Sequence, residues 1–331
     1  MNLSNAENIL IVRLSSLGDV LLSTPLIRGI KNKYNSLNID IITRNQFGDV
    51  YRHNPYIRNL YTLEENNFDE LNKSISKNSY DFILDLQNNL RSRKITSQFN
   101  TQISRFKKKT FAKFLLVNFK INFLKNLLQL PIRYAETVSE NGKKFLDEKG
   151  LELFLPNEIK PSITKMKSTI GFIPGSQHFT KRWQKENFIK LGNMLINQGK
   201  EVLLFGGKAD KQLCDELSNE IKDAKNLCTD DNLFQLAMDM TMCDAIVSND
   251  SGLMHLASTQ NVPLVVLFGS SVAEFGFTPY KTKNIIVENK NLSCRPCSHI
   301  GKNSCPKEHF NCMKTLTPEI VHEKLKTILS Q

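Results

Sequence analysis

The sequence has no run of about 18 apolar residues, so no helix in it is expected to span a membrane. Its first residues, Met1 to Asn8, lack both a charged leading region and a small-residue cleavage site, and no signal peptide is expected there. Seven cysteines, an odd number with four crowded near the end, do not make a secreted disulfide framework. The motifs HExxH, GxSxG and the P-loop are absent. Gly18 is the one glycine in the first strand-to-helix turn, where a dinucleotide fingerprint has a spaced set, which argues against a bound NAD. The chain is expected to be cytoplasmic and to carry no cofactor.

The longest absence is of acids. None stands between Asp85 and Glu136, while Arg91, Arg93, Lys94, Arg105, Lys107, Lys108, Lys109, Lys113, Lys120, Lys125 and Arg133 all do. Residues 1–165 carry 25 Lys/Arg against 16 Asp/Glu, and 166–331 carry 19 against 17, so almost all of the net +11 lies in the first half. A biased base composition explains a high overall pI but not a fifty-residue gap in acids. The gap points to a polyanionic partner: an acidic membrane surface, a phosphorylated substrate or nucleic acid. No nucleic-acid recognition motif is present, so no nucleic-acid partner is expected. The most apolar part, Phe111 to Leu130, is broken by three lysines and three asparagines. At about 100° per residue its apolar side chains fall nearly all round, which argues against a helix lying in a membrane plane with one clean apolar face.

What is present is the pattern of a parallel α/β protein. At 331 residues the chain exceeds what one core usually serves, and short β-rich runs alternate with helical patterns in both halves. Strands are expected at Ile9–Val12, Ile39–Ile42, Phe82–Leu86, Ile170–Ile173, Glu201–Phe205, Ala245–Val247 and Leu264–Phe268, with a helix from about Val20 to Lys33. A strand-poor, Pro- and charge-punctuated stretch, Leu155–Lys167, separates the two sets. The expected division is 1–160, 161–315 and a terminal helix 316–331, with Thr317 as its cap and Pro318 in its first turn, packing back across the domain boundary. Two doubly wound domains bind ligands at the carboxyl ends of their strands, so the loops there should line a central cleft between them.

Four of those loops carry chemistry. Ser15-Ser16-Leu17-Gly18-Asp19 follows the first strand and opens a helix; Asp19 is either a general base at the rim of a cleft or a complement to its own helix dipole. Pro174-Gly175-Ser176 leads through Lys181-Arg182-Trp183, a small-residue turn with clustered cations suited to a diphosphate or simply solvated. Phe205-Gly206-Gly207 with Asp210 offers an acid to ribose hydroxyls or to a helix start. Ser248-Asn249-Asp250-Ser251-Gly252, followed by His255, again presents backbone amides to phosphate, and His255 is as readily a core histidine as a ligand. The tail Cys294-x2-Cys297-x7-Cys305-x6-Cys312, with His299 and His309, lacks paired CxxC knuckles; buried reduced thiols are preferred slightly over a zinc site.

In this order, these stretches resemble glycosyltransferase family 9, the heptosyltransferases of lipopolysaccharide core assembly. The most specific part is Ser248 to His255, and the cysteine tail fits too; residues 91–165 carry no matching motif. The resemblance implies a GT-B fold of two Rossmann-like domains facing a central cleft. It also implies inverting transfer of heptose from an ADP-heptose to a lipid-linked, phosphorylated inner-core acceptor without a required metal. Asp19 would be the base and Lys181 the diphosphate contact. Ser176, Gly206, Gly207, Asp210, Asp250, Ser251, Gly252 and His255 would complete the donor site, Asp210 in a departing context because of Lys208 and Ala209. Arg91, Arg93, Lys94 and Lys107 to Lys109 would meet the acceptor and an anionic inner-membrane surface, making the chain a peripheral protein of the cytoplasmic face. Other readings are a sugar-nucleotide 2-epimerase on the same fold and a catalytically silent acidic-glycolipid-binding protein.

Overall fold

The computed structural model describes residues 3–330. They form two compact units, one of the chain up to Lys108 with Leu128–Phe154, the other of Lys109–Leu127 with the chain from Leu155 onward. The excursion Lys109–Leu127 thus belongs to the second unit although it lies inside the stretch that sequence alone groups with the first.

In the first unit five parallel strands, β1 (Asn8–Val12), β2 (Asn38–Arg44), β3 (Asn59–Leu63), β4 (Phe82–Asp85) and β5 (Gln102–Arg105), run in the order β3-β2-β1-β4-β5. Ile9 to Val12 are fully buried, as a central parallel strand covered on both faces must be. The edge strands β3 and β5 are mostly half-exposed and mix polar with apolar residues. Sequence did not mark them because their partners make them strands, not their own pattern. The expected helix Val20–Lys33 is in fact two, Leu17–Leu21 and Thr24–Lys33. Pro25 has no amide hydrogen to continue the first and sits at the start of the second, where none is needed. Ser23 and Thr24 hydroxyls donate to the carbonyls of Val20 and Leu21 at the break.

The second unit holds β6 (Thr169–Ile173), β7 (Glu201–Leu204), β8 (Lys225–Asn226), β9 (Ala245–Asn249), β10 (Leu264–Phe268) and β11 (Asn284–Glu288), all parallel, in the order β11-β10-β9-β6-β7-β8. Every residue of β6, β9 and β10 is buried. Trp183 packs edge-on against Phe188 at 4.8 Å and its indole nitrogen donates to the Leu316 carbonyl at 2.7 Å. The terminal helix Pro318–Ser330 buries Val321, Leu325 and Ile328, one helical stripe, against the helix Lys185–Asn197 and strands β10 and β11.

The first unit is closed by one buried cation. Arg28, on the helix Thr24–Lys33, pairs with Asp147 at 2.7 Å and Glu152 at 2.9 Å and donates to the carbonyls of Lys149 and Gly150. The guanidinium, donating to it, holds the Asp147 carboxyl below its usual range, while burial lifts Glu152 above its own. Replacing Arg28 with Met leaves two partly buried carboxylates without their cation. It is expected to lower the stability of the first unit by about 3 kcal/mol, read as a shift in the denaturant midpoint at constant slope.

Candidate active site

In each sheet the chain winds first to one side and then to the other, so one pair of neighbouring strands sends its loops to opposite faces. That pair is β1 and β4 in the first unit and β6 and β9 in the second. Ligands of doubly wound sheets bind at this switch point, outside the carboxyl ends of the strands. The polar side chains concentrate there in both units.

In the first unit Asp19, in the helix Leu17–Leu21, is held from three sides. Its Oδ1 pairs with the Arg13 guanidinium at 2.6 Å and accepts from the Tyr134 hydroxyl at 3.2 Å. Its Oδ2 accepts from the Ser16 amide at 3.3 Å and hydroxyl at 3.1 Å. The carboxylate keeps about a fifth of its surface open, with a side-chain exposure of 19%. Arg13 is buried beneath it, donates to the Leu86 carbonyl at 2.6 Å, and lies over the Tyr134 ring at 5.4 Å. Burial opposes the Arg13 charge, but Asp19 more than offsets it, and the guanidinium stays firmly protonated. Burial pushes the Tyr134 phenol far above its ordinary value, so it acts as a neutral donor. Asp19 therefore does return to the start of its own helix, and it is also the focus of a built polar cluster.

Gln87, two residues beyond β4, sets the loop that carries Asp19. Its Oε1 accepts from the amides of both Leu14 and Ser15, across the switch point. Asp85, wholly buried, accepts from the Gln87 and Asn88 amides and the Ser92 hydroxyl. In the sequence Arg13 stands only as the end of the first matching stretch, without a role, and Tyr134 and Gln87 are not singled out. An acid and a glutamine directly after a strand that pairs with β1 were the available signal for Gln87; nothing local marked Tyr134, which arrives from 115 residues away.

The basic residues read from sequence divide. Lys108 lies in the field of Arg13, Asp85, Asp19 and Arg93, and burial, reinforced by Arg13, lowers its pKa. Arg93 donates to Asn88 Oδ1, Lys94 stacks over the Phe68 ring at 4.3 Å, and Arg91 is exposed on the same helix, Leu90–Thr96. Lys107 is exposed in the first unit, and Lys109 begins the excursion into the second.

In the second unit Lys181 pairs with Asp250 at 2.7 Å, joining the loops after β6 and β9. Asp250 Oδ2 also accepts from the Ser271 hydroxyl, in the loop after β10, and the Asp250 carbonyl accepts from Ser176. Asn249 ties the same two loops: it donates to the Pro174 carbonyl at 2.7 Å and accepts from the Trp183 amide at 3.0 Å. Asp210 closes on the glycine turns, accepting from the Gly207 amide at 3.3 Å. A Cβ at Gly175 would meet Asp210 Oδ1 at 2.1 Å, and one at Gly206 would meet the Asp210 Cβ at 2.7 Å. Burial raises the Asp210 pKa. Ser251 caps the helix Gly252–Thr259, its buried hydroxyl making no hydrogen bond, and His255 is buried in the first turns of that helix. The charge here is cationic: burial, then Lys181 and Arg182, lowers the pKa of His178, and burial, Lys113 and Lys181 lower that of His299.

All seven cysteines are free. Cys294 Sγ lies 3.9 Å from His309 Nε2, and burial raises the Cys312 thiol to about 11. Among the described residues no three His, Cys, Asp or Glu side chains are grouped to hold a metal ion, and no helix is long and apolar enough to cross a membrane.

Comparison with known proteins adds to this geometry. The profile of glycosyltransferase family 9 (heptosyltransferase) matches residues 69–307. A lipooligosaccharide heptosyltransferase 2 of Campylobacter jejuni is 34% identical over 188 residues, 54% of this chain and 58% of that protein, so the match spans little more than half of that relative. A lipooligosaccharide heptosyltransferase 2 of Haemophilus influenzae is 28% identical over 98% of this chain and 100% of its own. The solved structure of an E. coli ADP-heptose lps heptosyltransferase II superposes with a TM-score of 0.76 over 98% of this chain and 99% of that one, at 24% identity, a likeness of fold.

Gln87→Ala removes the acceptor of two loop amides. Stability is expected to fall by about 1–2 kcal/mol, and hydrogen exchange at the Leu14 and Ser15 amides to accelerate well beyond that global loss. Exchange at these two amides no faster than elsewhere would show that the loop holds itself.

Proposed function

The chain belongs to glycosyltransferase family 9, with the two parallel-sheet α/β units of the GT-B type, and from that premise we propose that it moves a heptose from an ADP-heptose to a lipid-linked, phosphorylated inner-core acceptor of lipopolysaccharide. The observation that carries the reading is the placement of one anchored carboxylate, Asp19, at the switch point of one sheet and a cationic loop cluster around Lys181 at that of the other. An inverting transfer needs those two functions and little else.

The reaction runs as a single displacement. An acceptor hydroxyl oxygen bonds to the anomeric carbon as the bond from that carbon to the diphosphate breaks; the electron pair departs on ADP and the hydroxyl proton passes to Asp19. The Arg13 cation at 2.6 Å and Tyr134 occupy one carboxylate oxygen, and the other, which accepts only from the uncharged amide and hydroxyl of Ser16, takes the proton. Lys181 and the amides that open the helix Gly252–Thr259 stabilise the charge growing on the leaving group. Lys181 is held by Asp250, whose carboxylate also accepts from the Ser271 hydroxyl, so its ammonium is oriented before the nucleotide arrives. Ser176 and the turn Gly206-Gly207 border the donor, and Asp210 meets the ribose. Asp250, Ser251, Gly252 and His255 form the rest of the donor loop. Arg91, Arg93, Lys94 and Lys107 to Lys109 meet the acceptor phosphates and the anionic face of the inner membrane, where the chain works as a peripheral protein on the cytoplasmic side.

Asp19→Asn is expected to lower turnover about 100- to 10,000-fold while donor affinity changes no more than a few-fold; ADP release measured with and without acceptor checks this, and equal turnover in the two proteins removes Asp19 from the role of base. Lys181→Ala is expected to weaken ADP binding by about 10- to 100-fold in calorimetry, the loss of one charge-assisted hydrogen bond. ADP should protect the wild-type chain against thermal unfolding more than UDP or GDP; a preference for UDP would contradict the heptose donor.

A further inference from the structure

Beyond Lys109, the excursion Lys109–Leu127 presents a surface for which the transfer chemistry has no use. One side of it packs into the second unit: Leu116 and Leu124 are buried with Val272 and Phe275, and the Lys120 ammonium donates to the carbonyls of Pro296 and Cys294 at 2.7 and 3.2 Å. The other side turns Phe111, Phe114, Phe119, Ile121 and Phe123 outward, each between 48% and 73% exposed. Five of the eleven large apolar side chains exposed among the described residues therefore fall within thirteen consecutive positions. Phe114 and Phe119 meet edge to face at 6.0 Å, so the rings form a patch and are not scattered singly. Beside them lies a pocket of about 510 Å³ whose lining includes Lys109, Lys125, Asn122 and Asn126 with Phe123 and Leu127. Its lining combines cations and amide donors with apolar wall.

We infer that this surface docks on an anionic lipid bilayer, the phenyl rings entering the interface and the pocket taking a lipid phosphate between Lys109 and Lys125. The observations choose the occupant. A second copy of the chain would bring lysines against lysines over a segment with no acid of its own. An acidic protein would satisfy the charge but would need an apolar face matched to rings on a helix and on the turn after it. A bilayer offers both at once, an apolar layer under a sheet of phosphates, and aromatic side chains favour that boundary. The apolar positions that run nearly all round the helix Thr110–Phe119 have the same explanation: one arc faces the protein and the opposite arc faces lipid. The aromatic part of the docking surface then belongs to the unit that carries Lys181, whereas Arg91 to Lys108 belong to the unit that carries Asp19. The inference rests on the transfer reading for its purpose, because a lipid-linked acceptor lies in that surface, but its test requires no transfer.

The test uses the full chain and sedimentation with vesicles of phosphatidylethanolamine and phosphatidylglycerol, against vesicles of phosphatidylcholine alone. Binding to the anionic vesicles is expected, with a loss of about tenfold or more in Phe111→Ser/Phe119→Ser/Phe123→Ser and in Lys109→Glu/Lys125→Glu; ADP binding and thermal unfolding should stay as in the wild type for the phenylalanine variant, since those rings support no core. Equal vesicle binding in the wild type and the variants overturns the inference. So does equal binding to neutral vesicles, displacement of the bound chain by millimolar inorganic phosphate, or a dimer in sedimentation velocity that the phenylalanine variant dissolves. Transfer to a deacylated, water-soluble acceptor should be unchanged in the phenylalanine variant while transfer to a vesicle-embedded acceptor slows. A chain that moves no sugar yet binds anionic vesicles through these rings overturns the transferase reading and leaves the docking surface standing.

Discussion

Loops that leave two neighbouring parallel strands toward opposite faces cannot pack on each other, and the crevice between them is filled by side chains or by a ligand. Both sheets of this protein meet that constraint with polar atoms that reach across. Gln87 joins the loop after β4 to the two amides that follow β1 and its short extension, and so fixes where Asp19 begins its helix. Asn249 and the pair Lys181 and Asp250 do the same between β9 and β6. The residues that matter to the proposed chemistry are held by these crossings and not by helix or strand ladders. They are set by a few hydrogen bonds whose partners lie tens of residues apart.

The two crossings differ in sign. Around Asp19 the structure supplies a cation and a neutral phenol, so that a single carboxylate remains partly open in an otherwise buried cluster. Around Lys181 it gathers Lys113, Arg182 and two histidines whose charge burial and these cations suppress, and it lifts Asp210 by burial. In the proposed transfer the acid would receive a proton and the basic loop a diphosphate.

The long gap in acids has more than one structural meaning. Lys108 sits in the electrostatic field of Arg13 and Asp19, Lys94 lies on an aromatic ring, and Lys120 is bound to backbone carbonyls of the second unit. A carboxylate placed beside any of them would compete for these cations. The phenylalanines interleaved with them divide just as sharply. Phe106 is buried edge-on against Tyr134 in the first unit, whereas Phe111, Phe119 and Phe123 stand in solvent on the second.

By itself the sequence determined the parallel α/β class, the seven best-buried strands and the loops where polar residues would collect, because an apolar run of four or five residues followed by small and polar ones is a local pattern. The edge strands β3 and β5 left no such pattern, since a half-exposed strand takes its conformation from the neighbour that pairs with it, and β11 has only the three-residue run Ile285–Val287. The helical pattern of Val20–Lys33 runs through Pro25 without showing the break that its missing amide hydrogen imposes. Only the tertiary structure decided that Asp19 would be met by Arg13 and Tyr134, that Lys181 would be met by Asp250, and that the helix Thr110–Phe119 would join the second unit. The reason is physical: periodicity reports which face of an element is buried, but the partner of a charge is chosen by sheet order, and strand order is not written in any one segment.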